Sequence, residues 1–194
     1  MQMQSTWLDT FKTFADQFTD FSQKEWQALA GTLTPQTLSK NDFFVRPEDT
    51  SIQLGFIIKG LLRTFFITPS GDEFTTDFCC ENNITTNYDV LTPGNASDYY
   101  SQAMEDAVLL KIDYQAYESL CKDYPALQAF KTNLITRHYA RKITREKELL
   151  SLSAKEKYSR FIKEFPHIVQ RVRQYHIASF LGITPVQLSR IKKN

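Results

Sequence analysis

The pattern IASFLGITPVQLSRI, residues 177–191, constrains the fold of this chain more than any other feature. Two short helices that cross closely need a small residue at the crossing, and Ala178 supplies it. Four residues later, Gly182 tolerates the positive φ that a tight turn requires. Thr184 and Pro185 are typical of the first residues of a second helix. The pattern predicts a helix-turn-helix.

The charges are divided unevenly along the chain. Residues 1–121 contain 7 Lys and Arg against 17 Asp and Glu, a net charge of −10, whereas residues 122–194 contain 16 against 5, a net charge of +11. Such an asymmetry indicates that the C-terminal part meets a polyanion. A basic helix solvated by water, or attraction between the two halves, would give the same counts.

The open face of the second predicted helix suits duplex DNA. Gln187 can pair with adenine, Arg190 with guanine or phosphate, and Val186 with a thymine methyl group. Free amides at the helix start also favour phosphate. The alternative is a pair of helices packed in an all-α core without a ligand. The residues predicted to contact DNA are Thr184, Pro185, Val186, Gln187, Ser189, Arg190, Lys192, Lys193, Arg171 and Arg173.

Upstream of this motif, the hydrophobic pattern changes twice. Residues 5–33 are typical of helix. Residues 34–113 form short segments rich in Phe, Ile, Thr and Tyr with turn residues between them, which favours an antiparallel sandwich or barrel. The clearest hairpin joins residues 61–67 to 73–78. From Tyr114 onward the pattern is helical again.

Two capping boxes and a proline mark where helices begin. The capping boxes pair Ser22 with Glu25 and Ser153 with Glu156. Pro125 can open a longer helix that runs to about residue 150. Its candidate buried positions are Leu127, Phe130, Leu134, Ile135, Tyr139, Ile143 and Leu150.

Cysteine and histidine positions argue against a metal or redox cofactor. Cys79 and Cys80 are adjacent, Cys121 is alone, and the chain has three histidines. A zinc or iron–sulfur site needs several ligands at helix or loop spacing. We therefore predict no metal site and no cofactor, with the thiols free and at least partly buried.

The chain is also not expected to be an enzyme or a membrane protein. Several acidic residues are available as catalytic carboxylates, but no nucleophile–base pair accompanies them. The N-terminus lacks the basic and apolar regions of a secretory signal, and no run approaches the roughly 18 apolar residues of a membrane span. We therefore predict a cytoplasmic protein. The acidic residues considered are Glu81, Asp89, Asp98, Glu105 and Asp106.

Several segments together resemble the Crp/Fnr (catabolite-activator) transcription regulators, especially divergent short members of Bacteroidetes type. They are FIIKGLLR at residues 56–63, AMEDAVLLKI at residues 103–112 and the helix-turn-helix string. The resemblance covers nearly the whole chain and implies an α+β fold. It implies a cyclic-nucleotide-binding-like sensor β-roll (jelly roll) at residues 1–121, a long dimerisation helix at 122–150 and a helix-turn-helix DNA-binding domain at 151–194. That domain would be of winged-helix type, with the wing reduced or absent.

The sequence departs from the family at the effector cassette, which holds a cyclic phosphate with an arginine and the ribose with a glutamate. Glu81 matches the glutamate, but Cys80 stands in the place of the preceding glycine. Ser97 stands where the arginine is expected, and Asp98 adds the wrong charge. A buried phosphate without a cation is costly, so cAMP binding is not expected.

The resemblance leaves the effector unidentified. The pocket residues it implies are Glu81, Asn82, Ser97 and Tyr99. The sensor part has neither a cysteine cluster for iron–sulfur nor a histidine before His138 for haem. Either the roll binds another small molecule, with Tyr88, Tyr99 and Tyr100 as candidate lining residues, or it is a packing scaffold.

The function implied is a sequence-specific DNA-binding transcription regulator that acts as a homodimer. Val186 stands where family members commonly have a glutamate. The wing would also be reduced, since only a short strand near residues 171–174 could precede the motif. These departures motivate the alternative of a ligand-sensing or protein-interaction module with impaired DNA binding. The implied partners are double-stranded DNA, a second copy of the chain, RNA polymerase and an unknown small-molecule effector.

Overall fold

The structure, a computed structural model, describes residues 2–91 and 96–193. The helices are α1 (Gln2–Ala15), α2 (Gln23–Ala30), α3 (Tyr114–Cys121), α4 (Pro125–Ser151), α5 (Ala154–Glu164), α6 (Gln174–Leu181) and α7 (Pro185–Lys193). The strands are β1 (Leu33–Leu38), β2 (Phe43–Val45), β3 (Leu54–Lys59), β4 (Leu62–Ile67), β5 (Glu73–Cys79), β6 (Ile84–Thr86), β7 (Tyr100–Ala103) and β8 (Ala107–Ile112). Residues 93–95 of the effector cassette, the side chain of Tyr88 and the terminal residues 1 and 194 lie outside what is described.

The eight strands form two antiparallel four-stranded sheets, here called the roll. The strand orders are β1-β8-β3-β6 and β2-β7-β4-β5. A cluster of apolar side chains from both sheets, including Ile57, Leu62 and Leu109, is fully buried between them. At the β3–β4 turn Gly60 has φ +105°, and a Cβ there would lie 2.6 Å from the Cβ of Ala107. The predicted antiparallel β-roll is confirmed.

The predicted hairpin is also confirmed. Strands β4 and β5 pair from Leu62 opposite Cys79 to Ile67 opposite Glu73. The pairing shifts by one residue between Thr64 and Phe65. A bulge of this kind increases the local twist of a hairpin.

The helical segment predicted at residues 5–33 consists of α1 and α2, and its last residue, Leu33, already belongs to β1. The Ser22–Glu25 capping box is present, with the Glu25 amide donating to Ser22 Oγ and the Ser22 amide donating to Glu25 Oε2. This box starts α2. In the segment between α1 and α2, Phe18 and Phe21 both contact the ring of Phe130. Tertiary packing of these rings on α4 therefore interrupts the helical pattern of the sequence.

The long helix α4 has two different halves. Its first half buries Leu127, Phe130 and Leu134 against α1, α2, α3 and one face of the roll. Its second half leaves Tyr139 and Ile143, together with Leu150, exposed. The N-terminal positions of the predicted stripe are thus buried within the chain, and the C-terminal positions are open.

The C-terminal helices share a hydrophobic cluster with the roll. Leu61 and Phe78 of the roll are buried among Phe161 of α5 and Phe180 of α6. The second predicted capping box, Ser153–Glu156, starts α5. The strand predicted near residues 171–174 is absent, because residues 171–173 are a turn and bend that lead from the 3-10 helix Ile168–Gln170 into α6.

Several negative findings hold for the described residues. Within them, no helix combines the length and apolar character needed to cross a bilayer. No cluster of three or more His, Cys, Asp or Glu side chains in the same residues could hold a metal ion. The three cysteines are free thiols.

Candidate nucleic-acid interface

Helices α6 and α7 and the turn between them, here called the reader (residues 174–193), have helix-turn-helix geometry. Gly182 is left-handed, with φ 63° and ψ 37°. Its amide donates to the carbonyl of Ser179 at 3.1 Å, and the amide of Ile183 donates to the carbonyl of Ala178 at 3.1 Å. These two bonds define a Schellman motif, which ends a helix at a glycine. The predicted roles of Ala178 and Gly182 in a close crossing and turn fit this geometry.

The start of α7 carries a complete capping box. The amide of Gln187 donates to Thr184 Oγ1 at 3.1 Å, and the amide of Thr184 donates to Gln187 Oε1 at 2.9 Å. Leu188, one residue further, is fully buried against the reader's own core. The cap and this anchor fix the axis and the rotation of α7 relative to α6.

The face of α7 opposite Leu188 is exposed. Val186, Arg190 and Lys193 follow one another at i, i+4 and i+7 and therefore lie on one side of the helix. Val186 is 60% exposed. Gln187, Ser189 and Lys192 are exposed as well, as are Thr184 and Pro185 at the helix start. Within the described part of the chain, no carboxylate pairs with the basic residues of this face.

The capping box limits what Gln187 can offer to a base. A bidentate contact with adenine uses both the oxygen and the nitrogen of a glutamine side chain. The oxygen of Gln187 already accepts the amide of Thr184. Gln187 must therefore break its cap to read adenine in bidentate fashion, or donate only its amide nitrogen.

The two arginines predicted to support DNA binding have different surroundings. Arg173, at the start of α6, is exposed. The guanidinium of Arg171 instead donates to Glu81 at 2.8 and 2.9 Å and to Glu105 at 2.6 and 3.2 Å. Because its donors are occupied by the roll, the prediction of Arg171 as a DNA contact is corrected to an intramolecular ion pair.

This ion pair changes the acidity of both partners. The hydrogen bonds that Arg171 donates to Glu105 and Glu81 raise the pKa of the arginine above its ordinary value. Burial opposes ionisation of Glu81, but the bonds from Arg171 and from backbone amides outweigh it and lower the pKa of its carboxyl. Both groups therefore remain charged and paired at neutral pH.

A second arginine, this time on the roll, contacts the reader. Arg63 of β4 is 2% exposed and donates to Nδ1 of His176 on α6 at 2.6 Å and to Glu73 at 2.5 Å. Thr75 accepts a third, longer bond at 3.3 Å. An acceptor at Nδ1 requires a neutral histidine, so this contact fixes the tautomer of His176.

A cavity of about 630 Å³ lies between the roll, α4 and the reader. Aromatic side chains of the roll, Phe66, Phe74 and Tyr99, line one part of it. Lys142 and Arg145 of α4 line another part. This combination of apolar surface and a few polar groups is typical of a small-molecule site.

Solved structures of other proteins share this architecture. FixK2 from Bradyrhizobium japonicum has a TM-score of 0.73 and 14% identity over 83% of each chain. The c-di-GMP responsive global regulator CLP from Xanthomonas campestris has a TM-score of 0.69 and 13% identity, covering 86% of this chain and 88% of that one. A protein from Eubacterium rectale described as a transcriptional regulator of the Crp/Fnr family has a TM-score of 0.68 and 15% identity, covering 90% and 83%.

The chain has the fold of the Crp/Fnr regulators. No family model matches its sequence, and no curated protein does. At identities of 13–15% in these three comparisons, the similarity lies in the tertiary structure and not in the individual side chains. The contacts of the reader must therefore be argued from this chain's own residues.

The structure separates the residues predicted for the effector pocket of this fold. Only Tyr99 lines the cavity. Glu81 faces Arg171, Asn82 is exposed, and Ser97 is buried with its hydroxyl bonded to the backbone of Tyr99. The placement of Glu81 and Ser97 in one pocket is therefore corrected, because Glu81 is held by Arg171 and Ser97 by the backbone of Tyr99.

Residues that line the cavity and escaped the sequence analysis come mainly from three places. They are Thr86 and Asn87 at the end of β6, the inward side chains of β4 and β5, and the polar face of α4. Thr86 and Asn87 directly precede the 3-10 turn Tyr88–Leu91. The only sequence signal for this position was a polar stretch after a strand, which many surface loops share.

We expect the stability of the fold to fall as the pH drops from about 6.5 to 5, because of two histidines. Burial and the adjacent Arg63 lower the pKa of His176 to about 4, and burial and Lys142 lower the pKa of His138 to about 4. Both stay neutral in the fold while the unfolded chain takes up protons below pH 6.5. His176 alone contributes on the order of 1 kcal/mol over this interval, measurable from urea unfolding at several pH values.

The variant His176→Asn isolates one of the two contributions. The amide oxygen of asparagine can accept a bond from Arg63 and does not titrate. The variant should therefore lose stability less steeply with falling pH, the remaining slope coming from His138. His167→Asn alters an exposed histidine and serves as the matched control. Equal slopes for His176→Asn and the unaltered chain would contradict this assignment.

Proposed function

We propose that the chain is a sequence-specific DNA-binding transcription regulator of Crp/Fnr type. The observation that carries the proposal is the exposed face of α7, where Val186, Arg190 and Lys193 lie opposite the buried Leu188. A helix-turn-helix places such a face in the major groove. The net charge of +11 on residues 122–194 supports the same interpretation.

The side chains of α7 suggest how a site would be read. Arg190 can donate two guanidinium N–H groups to a guanine edge, and Val186 can contact a thymine methyl group. The capping box and Pro185 leave few backbone donors at the start of α7, but the exposed Arg173 is suited to phosphates, which fix the register of the protein on the duplex. Gln187 contributes fully only when it leaves its capping box.

A homodimer through α4 completes this proposal. Tyr139, Ile143 and Leu150 are exposed and lie 4 and 7 residues apart, the spacing of a two-helix seam. These three residues lie in the second half of α4, beyond the half that packs on the roll. Two copies joined along this stripe would present two readers, whose half-sites are expected about 34 Å apart.

We expect Ile143→Lys to dissociate the dimer, because it places a charge at the middle of the apolar stripe. Ile143 is 47% exposed in the single chain, so the variant should fold normally. Thr144→Lys inserts the same side chain one residue further, about 100° around the helix, and should leave the dimer intact. Sedimentation velocity at micromolar concentration distinguishes the two. A dimeric Ile143→Lys variant would contradict the α4 interface.

We further propose that the cavity does not bind cAMP. Three carboxylates, Asp77, Asp89 and Glu146, line it and would repel a phosphate, and the ammonium of Lys142 already lies 3.8 Å from Asp77. The guanidinium of Arg145 is already bonded to the carbonyl of Phe180. Isothermal titration with cAMP up to millimolar concentration should show no binding. A saturating signal at micromolar cAMP would overturn this part of the proposal.

Salt-dependent DNA binding tests the central proposal. Fluorescence anisotropy with promoter duplexes, repeated over a series of salt concentrations, should show affinity that falls steeply as salt rises, since phosphate contacts release counterions. No binding even at low ionic strength would reject the proposal. The same chain stabilised by a metabolite in a thermal-shift screen, without any DNA affinity, would favour the ligand-sensing alternative.

A further inference from the structure

Two turns of the roll contact Arg171, which lies in the segment just before the reader, and a third turn is joined to them through Glu81. Its guanidinium contacts Glu81 on the β5–β6 turn and Glu105 on the β7–β8 turn. Glu81 also accepts the backbone amide of Gly60 on the β3–β4 turn at 2.9 Å. The planar fork of arginine favours such multidentate contacts, which are directional. The base of α6 is therefore held at one point of the roll.

Arg63 provides a second point, because its partner His176 lies five residues after Arg171. It projects from β4 and reaches His176 on α6. Its charge is balanced by Glu73 on the neighbouring strand. Because Arg63 is buried, removing its partners would leave an uncompensated charge, which proteins rarely tolerate.

Ser179 provides a third point at the open edge of β5. The amide of Thr75 donates to Ser179 Oγ at 2.9 Å, and that hydroxyl donates to the carbonyl of Glu73 at 3.1 Å. β5 is the last strand of its sheet. Covering an edge strand satisfies backbone groups that would otherwise face solvent. We refer to the bonds of Arg171, Arg63 and Ser179 across this boundary as the docking contacts.

The docking contacts join the same two parts of the chain as an apolar contact, in which Leu61 and Phe78 of the roll pack with Phe161 and Phe180 of the C-terminal helices. Apolar burial is not directional and would allow these surfaces to slide or rotate. Buried polar contacts have their best-attested role in selecting one arrangement among several. The polar bonds therefore set the orientation that the apolar contact alone leaves open.

We propose that Arg171 and Arg63 are positioning residues for DNA recognition, which hold the reader on the roll of the same chain and so set the spacing between the two half-sites of a dimer. This inference rests on the function proposed above. Neither arginine needs to touch DNA. Their effect reaches α7 through α6, whose Ala178 and Leu181 pack in the same cluster as Leu188.

Half-site spacing is the property that distinguishes positioning from simple stabilisation. A dimer with fixed readers should strongly prefer one spacing, whereas loosely held readers should tolerate several. A loosely held reader should still bind a single half-site, because the face of α7 is unchanged. If a variant merely lost folded protein, its apparent affinities for the full site and for the single half-site would fall together.

The experiment uses the full chain and a library of duplexes with randomised sequence to select bound sites. Affinities are then measured for the selected site, for the same site with one base pair added or removed between the half-sites, and for a single half-site. Arg171→Met should lower the preference for the selected spacing by about tenfold, a typical coupling between sites. Its affinity for the single half-site should stay within about twofold, and Arg171→Lys should restore part of the preference.

Arg173→Met is the matched control. Arg173 lies two residues away, loses the same charge and is exposed. As a phosphate contact it should weaken binding to all duplexes uniformly and reduce the salt slope by about one, with the spacing preference unchanged. An Arg171→Met variant that keeps the full spacing preference, or behaves like Arg173→Met, would overturn the proposal.

Hydrogen exchange separates this inference from the DNA-binding proposal. The amide of Gly60 donates to Glu81, whose carboxylate Arg171 holds in place, and the amide of Thr75 donates to Ser179 across the boundary. Arg171→Met should speed their exchange about tenfold or more, since local opening frees them, while amides inside α6 stay protected. If no variant selects DNA, the proposed function fails but faster exchange still supports the docking. Unchanged exchange at both amides would overturn it.

Discussion

Replacing Arg190 with glutamate is expected to lower the affinity for duplex DNA about 100-fold or more. Arg190 is exposed on the face of α7 opposite Leu188. The substitution removes a contact worth about 1–3 kcal/mol at a base edge and adds repulsion from the phosphates. Fluorescence anisotropy at one fixed salt concentration measures the effect, because affinities at different salt are not comparable.

Lys40→Glu is the matched control for this charge reversal. Lys40 is exposed on the roll, and its backbone amide, not its side chain, bonds to Asp106. The control changes the net charge by the same amount and should alter the affinity only slightly. An Arg190→Glu variant that binds as tightly as Lys40→Glu would rule out α7 as the surface that reads DNA.

Replacing Phe180 with alanine is expected to destabilise the fold by about 3–5 kcal/mol, the usual cost of truncating a buried phenylalanine. Phe180 is 5% exposed, and its ring centroid lies 5.3 Å from that of Phe78, 5.5 Å from that of Phe161 and 5.9 Å from that of Phe165. Arg145 also covers its ring. Urea denaturation followed by circular dichroism measures the loss.

The same experiment tests whether the roll and the C-terminal helices unfold together. Phe180 packs on Phe78 of the roll, so the variant should weaken the contact that joins them. We expect the unaltered chain to unfold in one transition. Ile162→Ala, at a position 40% exposed on α5, should cost less than about 1 kcal/mol. Two separate transitions in the unaltered chain, with only the second shifted by Phe180→Ala, would argue against a shared core.

Local patterns in the sequence predicted the elements that depend on near neighbours. The Ser22–Glu25 and Ser153–Glu156 capping boxes and the left-handed Gly182 all lie within a few residues of the groups they bind. Such interactions repeat whenever the short motif is present. The hairpin of β4 and β5 belongs to the same group, because its turn brings adjacent strands together.

Long-range contacts explain where the sequence analysis failed. Arg171 lies 90 residues from Glu81 and 66 residues from Glu105. In the sequence it is one of several basic residues near a predicted DNA-binding motif, and nothing local distinguishes it from Arg173. Likewise Glu81 matched a cassette position by its neighbours, although the fold turns it toward the reader rather than the cavity.

The sequence by itself determined the class of fold and the reading helix, because alternation of apolar residues, capping and glycine geometry act over a few residues. Only the tertiary structure decided which charges remain open to a partner and which are consumed within the chain. Arg190 and Arg173 stay exposed, whereas Arg171 and Arg63 are held between the roll and the reader. The physical reason is that an arginine's partner is chosen by distance in space, which residue order does not reveal.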